Sequence, residues 1–191
     1  MSSKKLAIVT GASSGIGKAT SLRLLKLGFE VLGISRSITK EDINDINFTA
    51  TQADLSNEKE TLELCENLKR TNVHILLNCA GFGRFEPHEE LSHKTITDMS
   101  FLNLTAPMLL TNTLLRSLKN NDGYLININS IEAIRASKFA GVYSATKAGL
   151  KAFGDALFEE TRKSALSITN INPDMTESSF YDELRFETSA K

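Results

Sequence analysis

The sequence LAIVTGASSGIG at residues 6–17 joins a short apolar run to three closely spaced glycines. Residues 6–9 have the length and composition of a buried strand. From Ile16 onward, apolar residues recur at helical spacing, and Gly28 stands where a helix commonly ends. The stretch therefore predicts a strand, a glycine turn and a helix.

The glycine turn has the properties of a phosphate-binding loop. Glycines permit a tight turn and close approach of the backbone to a ligand, and a helix N-terminus offers unpaired N–H groups and a positive dipole end. The spacing G-x-x-x-G-x-G matches neither the G-x-G-x-x-G pattern nor a P-loop. A plain strand–helix turn is the alternative. The predicted ligand contacts are Gly11, Ser13, Ser14, Gly15, Ile16 and Gly17.

Strand-like and helix-like segments alternate along the rest of the chain. Further strands are predicted at residues 30–34, 48–52, 74–79, 123–129 and 166–171, and helices at 58–70, 91–118 (two helices joined near Phe101) and 142–163. Repeated β–α units with apolar strands imply a parallel sheet covered on both faces. We predict a doubly wound Rossmann fold of three α/β/α layers, as a single domain over residues 1–191, with 174–191 as a substrate-loop region.

Composition and charge exclude several classes of function. The chain has 191 residues and a net charge of −1, which favours neither nucleic acid nor an anionic membrane as a partner. No apolar run approaches the roughly 20 residues that span a bilayer, and the N-terminal apolar run is too short for a signal peptide. We expect a cytoplasmic protein.

The cysteines and histidines suggest no special chemistry. Cys65 and Cys79 are predicted to be small core residues in a reducing compartment, with Leu62 and Leu68 facing inward beside Cys65. The three histidines have no spacing typical of a metal site. No metal is therefore predicted.

Ligands of doubly wound sheets bind at the carboxyl ends of the strands. After the second strand, a carboxylate would suit a ribose 2′-hydroxyl and an arginine would suit a 2′-phosphate. The sequence there is Ser35-Arg36-Ser37, with no carboxylate until Glu41. We predict NADP(H) in preference to NAD(H). The alternative is a solvated surface arginine.

A second group of reactive residues lies between residues 130 and 147. Tyr143 and Lys147 are four residues apart, so on a helix they share one face. An ammonium beside a phenol favours the phenolate, and a tyrosine tuned in this way can exchange a proton with a substrate oxygen. Ser130 follows the predicted fifth strand, where its hydroxyl could bond the same oxygen.

Taken together, these motifs resemble the short-chain dehydrogenase/reductase family, in its single-domain subgroup. The resemblance covers residues 4–173. Its motifs occur in the family's order, and together they are far more specific than any one alone: T-G-x-x-x-G-x-G at residues 10–17, Asp54, N-x-A-G at residues 78–81, Asn103, Ser130, and Y-x-x-x-K at residues 143–147.

The resemblance implies roles for the matching positions. Tyr143 would be the acid/base, Lys147 would lower the pKa of Tyr143 and contact the nicotinamide ribose, and Ser130 would orient the substrate oxygen. Asn103 would anchor a water in a proton relay. The implied cofactor contacts also include Ser35, Arg36, Ser37, Asp54, Leu55, Asn78, Ala80, Gly81, Tyr143, Lys147, Pro173 and Thr176.

Each role has an ordinary alternative. Asn103 would then be a solvated or kinking helix residue, and Asn78 a structural buried amide, which is mostly its role in the family as well. Ser130 would be a helix N-cap, and Tyr143 an ordinary half-buried tyrosine.

The C-terminal part departs from the family pattern. Asn172-Pro173-Asp174 replaces the usual Pro-Gly, which matters if the turn needs positive φ. The family's threonine beyond this proline would be Thr176 or Ser178. The family's seventh strand is expected to be missing, which would leave strand six as an edge. We expect a homodimer built on helices 101–118 and 142–162, with a tetramer as the alternative.

Three functions remain open at this point. The first is an NADP(H)-dependent oxidoreductase that interconverts a ketone or aldehyde and an alcohol. The second is a dinucleotide-binding regulatory protein without turnover. The third is an epimerase or dehydratase, whose family members carry a longer C-terminal region.

Overall fold

Six parallel strands form the centre of the structure, a computed structural model that describes residues 4–174. Their order across the sheet is β3-β2-β1-β4-β5-β6, and every neighbouring pair is parallel. The predicted doubly wound sheet is confirmed. The strands are β1 Leu6–Thr10, β2 Glu30–Ser35, β3 Phe48–Gln52, β4 Ile75–Asn78, β5 Tyr124–Ile128 and β6 Ser167–Ile171.

The helices follow the strands as the β–α pattern predicts. They are α1 Gly15–Lys26, α2 Glu58–Leu68, α3 His93–Ser100, α4 Ala106–Asn120 and α5 Gly141–Thr161, with short 3₁₀ turns at Lys40–Asp42, His88–Glu90 and Ile131–Ala133. The predicted joint near Phe101 is a π-helical turn, Phe101–Thr105, between α3 and α4. Its Ala106 N–H donates to the Phe101 carbonyl, five residues back. Turns of this kind often occur at functional sites.

Local sequence signals set where the helices begin and end. The side chain of Asn57 caps α2 by accepting the Glu60 N–H, and Ser92 caps α3 by accepting the Thr95 N–H at 3.0 Å. Gly28, with φ of 86°, follows α1 in the left-handed conformation that glycine tolerates best.

Two apolar layers cover the two faces of the sheet. Alternation along β1 sends Ile8 to one face and Val9 to the other, and both are fully buried. The layer around Ile8 includes residues of α2, α4 and α5, whereas the layer around Val9 includes Leu24 of α1. This packing produces the predicted three layers and leaves the carboxyl ends of the strands on one edge.

Two details of the predicted core are wrong. Leu62 is 45% exposed, because the buried stripe of α2 runs through Thr61, Leu64, Cys65 and Leu68. The predicted strand at residues 74–79 is shorter than expected. It ends at Asn78, so Cys79 is only partly buried and lies at the edge where the strands end.

Several predictions fall outside the described residues. These are the candidates Thr176 and Ser178 and most of the 174–191 segment. Among the helices within residues 4–174, none is long and apolar enough to cross a membrane.

Candidate active site

A cleft of about 570 Å³ runs along the carboxyl ends of the strands. It is lined by residues from the glycine turn, the ends of β2 to β5, and α5. The predicted site residues that line it are Gly11, Ser13, Ser14, Gly15, Ile16, Ser35, Arg36, Ser37, Asp54, Leu55, Ala80, Gly81, Ser130, Tyr143, Lys147 and Pro173. Residues that are far apart in sequence, such as Gly11 and Pro173, therefore meet at one site.

The glycine turn brings three backbone segments together. Gly11 has φ of 68°, and its N–H donates to the Ile34 carbonyl at 2.8 Å. A Cβ on Gly11 would lie 3.0 Å from backbone atoms of Ala80. At Gly17 a Cβ would lie 2.2 Å from the Gly11 carbonyl oxygen, which no side chain tolerates. Only a glycine at position 17 therefore lets α1 pack this closely against the turn. Gly17 does not itself line the cleft.

The N-terminus of α1 is suited to an anion. Ser14 precedes the helix without a side-chain capping bond, and the first turn holds no acidic residue. By contrast, α2 is capped by Asn57 and carries Glu58 and Glu60 in its first turn. The positive dipole end of α1 therefore faces the cleft without a compensating carboxylate. A dinucleotide pyrophosphate fits such a site.

The end of β2 forms one wall of the cleft. Ser35 accepts the Ile38 N–H at 3.1 Å, while Arg36 lies close enough to Asp54 to act on its charge. Partial burial acts to raise the pKa of Asp54. The hydrogen bonds from the Ser56 hydroxyl and N–H, with the charges of Arg36 and Lys94, lower that pKa on balance. The Asp54 carboxylate is ionised and held in place.

Tyr143 and Lys147 lie one turn apart on α5, as predicted, and both are buried. The Lys147 ammonium is 5.8 Å from the centroid of the Tyr143 ring and donates to the Ile128 carbonyl at 2.9 Å. The ring of Phe85 packs against the Tyr143 ring, with 5.3 Å between centroids and a tilt of 55°. The Tyr143 ring therefore has both an aromatic ring and a cation as neighbours.

Burial shifts the pKa values of two neighbouring groups. Removal from water lowers the pKa of Lys147 to about 8. Cys79 lies close enough to interact with that charge, and burial raises the pKa of its thiol to about 11. Cys79 is therefore a neutral thiol at pH 7, and a backbone hydrogen bond from Gly17 reaches it. Sequence reasoning placed Cys79 in the core. The structure places it in the cleft, since β4 ends one residue earlier.

Ser130 is an N-cap and also lines the cleft. Its Oγ accepts the Glu132 N–H at 3.2 Å at the start of a 3₁₀ turn. Accepting this bond uses a lone pair of the hydroxyl and leaves its proton to be donated. The capping alternative is therefore compatible with a role in binding a ligand oxygen.

Asn103 lies in the π-helical turn and is fully buried. Its carboxamide accepts the Phe82 N–H at 3.0 Å and donates to the Phe82 carbonyl at 2.8 Å and to Thr146 Oγ1 at 3.2 Å. A Cβ on Gly81 would lie 2.9 Å from Asn103 Oδ1 and 3.4 Å from Lys147 Nζ. Asn103 thus holds the wall of the cleft beside Lys147, and its side chain does not itself line the cleft.

Asn78 belongs to a row of hydrogen-bonded amides, in which Asn78 and Asn127 are buried and Asn170 is half-buried. Its Nδ2 donates to Asn127 Oδ1 at 3.0 Å, and Asn127 Nδ2 donates to Asn170 Oδ1 at 3.2 Å. Asn170 in turn donates to Asp155 Oδ1 at 2.8 Å and to the Lys151 carbonyl at 3.1 Å on α5. The three asparagines share one register across β4, β5 and β6. Asn78 thus braces the sheet and does not line the cleft.

The segment after β6 closes the cleft near Ser130. The Pro173 carbonyl accepts the Ile131 N–H at 2.9 Å, and Pro173 and Asp174 line the cleft. Within residues 4–174, the non-glycine residues with positive φ are Asp122 and Phe139. The aspartate in place of glycine at position 174 therefore causes no backbone strain.

Sequence reasoning missed several residues of the site. Thr10 Oγ1 accepts the N–H groups of Cys79 and Ala80 at 2.9 and 3.0 Å and so ties the end of β1 to the segment after β4. Thr95, Asp98 and Leu102 also line the cleft. Residues 82–84 line the cleft as well, whereas Phe85 and residues 131–139 are not among its described lining residues.

This chain belongs to the short-chain dehydrogenase family, a family of oxidoreductases. The family model described as short chain dehydrogenase matches residues 5–188. Dehydrogenase/reductase SDR family member 11 of Gallus gallus is 33% identical over 196 residues, which is 92% of this chain and 76% of that protein. Its Homo sapiens counterpart is 32% identical, over 92% of this chain and 75% of that protein.

Solved structures agree with this assignment. A putative NAD(P)-dependent gluconate 5-dehydrogenase from Beutenbergia cavernae, with bound NADP, superposes with a TM-score of 0.88 at 25% identity, over 95% of this chain and 76% of that one. Serine dehydrogenase complexed with NADP+ gives a TM-score of 0.84 at 26% identity, over 93% and 75%. Neighbours of the same fold also include 4-hydroxyisoleucine dehydrogenase complexed with NADH.

Proposed function

We propose that this protein is an NADP(H)-dependent oxidoreductase that interconverts a ketone or aldehyde and the corresponding alcohol. The observation that carries the proposal is that Ser130, Tyr143 and Lys147 line the same cleft as the glycine turn. A phosphate-binding turn and a proton-exchanging group at one site are what hydride transfer to a carbonyl requires.

The bound dinucleotide would supply or accept the hydride. The turn at residues 11–17 would bind its pyrophosphate, Asp54 and Leu55 would contact the adenine side, and Lys147 the nicotinamide ribose. Ala80, Gly81 and Pro173 would form the walls around it. These assignments rest on the shape of the turn, the uncompensated N-terminus of α1 and the lining of the cleft.

Tyr143 is the proposed acid/base. During reduction its hydroxyl gives a proton to the substrate oxygen, and during oxidation its oxygen takes one back. Lys147 lies on the same side of α5 and stabilises the phenolate by its charge. Ser130 donates a hydrogen bond to the substrate oxygen and orients it. The side chain of Asn103 is held by hydrogen bonds to Phe82 and Thr146. Its proposed contribution is to fix the backbone at Gly81 beside Lys147, where protons would exchange between the site and the solvent.

The preference for NADP(H) rests on the end of β2. Ser35, Arg36 and Ser37 all line the cleft, and β2 ends at Ser35 without a carboxylate in that position. A guanidinium and two hydroxyls can bind a 2′-phosphate. The partner is a small carbonyl or alcohol compound, and the proposed assembly is a homodimer.

The test is a screen for NADPH consumption with a panel of ketones and aldehydes, after NADPH binding has been measured. We expect NADPH consumption with at least one compound. In Ser130→Ala the rate of consumption should fall about tenfold or more, because a hydrogen-bond donor to the reacting oxygen is removed. NADPH affinity should remain within about twofold in that variant. Tight NADPH binding without consumption of any compound would instead indicate a binding protein without turnover.

A further inference from the structure

Glu132 forms hydrogen bonds with Ser130 and with Ser144, the residue that follows Tyr143. Its backbone N–H donates to Ser130 Oγ at 3.2 Å, and its carboxylate accepts the Ser144 hydroxyl at 2.7 Å. Ser144 directly follows Tyr143 on α5 and is buried. One residue therefore connects the hydroxyl at the end of β5 to the helical turn that carries the phenol.

The carboxylate of Glu132 is fully engaged. Besides Ser144, it accepts the Ser137 N–H at 2.8 Å and the Ser137 hydroxyl at 2.5 Å. Partial burial acts to raise the pKa of Glu132, but the hydrogen bonds from Ser137 and Ser144 and the charge of Arg135 lower it on balance. The group is ionised, and charge-assisted bonds of this kind are the stronger ones.

The loop held by these bonds is in a constrained conformation. Phe139, two residues before α5 begins, has φ of 66°, which costs a non-glycine residue free energy. The Lys138 ammonium lies 4.6 Å from the Phe139 ring centroid. A conformation of this kind persists only when surrounding contacts enforce it. The three bonds to Glu132 hold Ser137 and Ser144, which lie on either side of Phe139 in the chain.

Glu132 also places a negative charge near the N-terminus of α5. The N-cap of α5, Ala140, makes no side-chain capping bond, and the first turn of the helix contains no acidic residue. Because Ser144 is in that first part of the helix, the Glu132 carboxylate lies near the positive end of the α5 dipole. The charge that steadies the start of the helix thus comes from the loop that begins at Ser130.

We propose that Glu132 is a positioning residue that fixes the Ser130 hydroxyl relative to the Tyr143 phenol. This inference rests on the proposed function. It predicts that loss of the carboxylate slows the chemical step, while the dinucleotide, whose proposed contacts include the glycine turn and the end of β2, binds as before. A displacement of about 1 Å between such groups can cost on the order of a hundredfold in rate.

The experiment compares Glu132→Ala, Glu132→Asp, Ser144→Ala and a matched control, Glu160→Ala, which removes an exposed glutamate from α5. With NADPH and a carbonyl substrate found in the screen, kcat should fall about tenfold to a hundredfold in Glu132→Ala. Ser144→Ala should lower it about threefold to tenfold, and Glu132→Asp should recover part of the loss. The Kd for NADPH should stay within about twofold in all four.

A double-mutant cycle with Ser130→Ala separates a positioning role of Glu132 from a purely structural one. If Glu132 acts through Ser130, the loss caused by Glu132→Ala should shrink in a Ser130→Ala background, since groups that act as a unit are non-additive. A merely structural glutamate would give the same fold-loss in both backgrounds. Equal losses, or a kcat in Glu132→Ala within about twofold of the native protein, would overturn the proposal.

Amide hydrogen exchange of residues 130–145 gives a readout that does not need a substrate. We expect faster exchange in Glu132→Ala than in Glu160→Ala, beginning at the Ser137 amide and extending into the first turn of α5. Unchanged exchange would overturn the proposal even if no carbonyl compound were consumed. Absence of turnover in the native protein, by contrast, would refute the proposed oxidoreductase function itself.

Discussion

The Nζ atom of Lys147 donates a hydrogen bond to the carbonyl oxygen of Ile128 at 2.9 Å. Ile128 is the last residue of β5, two residues before Ser130, while Lys147 is one helical turn from Tyr143. The contact links the strand that carries the hydroxyl to the helix that carries the phenol. It also holds a buried ammonium at the wall of the cleft.

The buried Lys147 should make stability depend on pH. Its pKa is about 8 in the folded protein and 10.5 without burial. Between these values the unfolded chain binds a proton that the folded chain has lost, so the free energy of unfolding should rise with pH across this window. The full rise is on the order of 3 kcal/mol. Urea unfolding from pH 7 to 10.5 measures it.

Lys147→Met is the control for this prediction, because it keeps the apolar stem without the charge. The variant should lack the rise. Cys79 acts in the opposite direction above pH 9, since its folded pKa is raised from 9.0 to about 11. Because the Lys147 charge also acts on the Cys79 thiol, the native lysine and Lys147→Met are compared in a Cys79→Ala background, which removes that contribution. A flat difference from pH 7 to 10.5 would show that the ammonium is not buried as described.

Arg36→Ala should weaken NADPH binding about tenfold to a hundredfold, because a charged hydrogen-bonding partner of the 2′-phosphate is lost. NADH binding should change by less than about twofold. Arg116→Ala, at an exposed arginine on α4, is the matched control. Titration of both dinucleotides by fluorescence measures the effect. If the alanine variant keeps the native NADPH-to-NADH ratio, Arg36 does not select the cofactor.

Gly17→Ala should abolish dinucleotide binding or prevent folding. The added methyl would meet the Gly11 carbonyl oxygen at 2.2 Å and force α1 away from the turn. Gly141→Ala is the control, because a Cβ there meets nothing within 4 Å and the residue starts a helix. Circular dichroism and NADPH titration of the two variants separate loss of fold from loss of binding. Native affinity in Gly17→Ala would contradict the described turn.

The row of amides at Asn78, Asn127 and Asn170 should contribute to stability. Asn127→Ala removes both a donor and an acceptor. Asn78 Nδ2 then keeps only its longer bond to Thr111 Oγ1 at 3.4 Å, and Asn170 Oδ1 keeps only the Asn129 amide as donor. The free energy of unfolding should fall by about 1–3 kcal/mol. Asn67→Ala, at an exposed position of α2, should change it by less than about 0.5 kcal/mol. Equal urea midpoints for the two variants would refute the bracing role.

The sequence predicted the features that depend on short-range pattern. Apolar runs and glycines located β1, the turn and α1, and the four-residue spacing put Tyr143 and Lys147 on one face of α5. Motif order then placed Ser130 and Arg36 at the same edge of the sheet. These features follow from helix and strand periodicity and from where parallel strands end.

Features that depend on tertiary contacts escaped prediction. Leu62 and Leu64 are two residues apart and both apolar, so the pattern alone could not tell which one faces the sheet. Glu132 reads as an ordinary loop glutamate, because its partner Ser144 is reached only through the path of the intervening loop. The π-helical turn around Asn103 has no marker in the local sequence, and the hydrogen-bond partners of Asn103, Phe82 and Thr146, are distant from it in the chain.

The most direct test of the proposed function is the kcat for NADPH oxidation in Tyr143→Phe, with a carbonyl substrate of the native protein at saturating NADPH. The phenylalanine ring keeps the packing against Phe85 and removes the proton donor. We predict that kcat falls by about a hundredfold to ten-thousandfold while the Kd for NADPH stays within about twofold. A kcat within about twofold of the native value would contradict the assignment of Tyr143 as the acid/base.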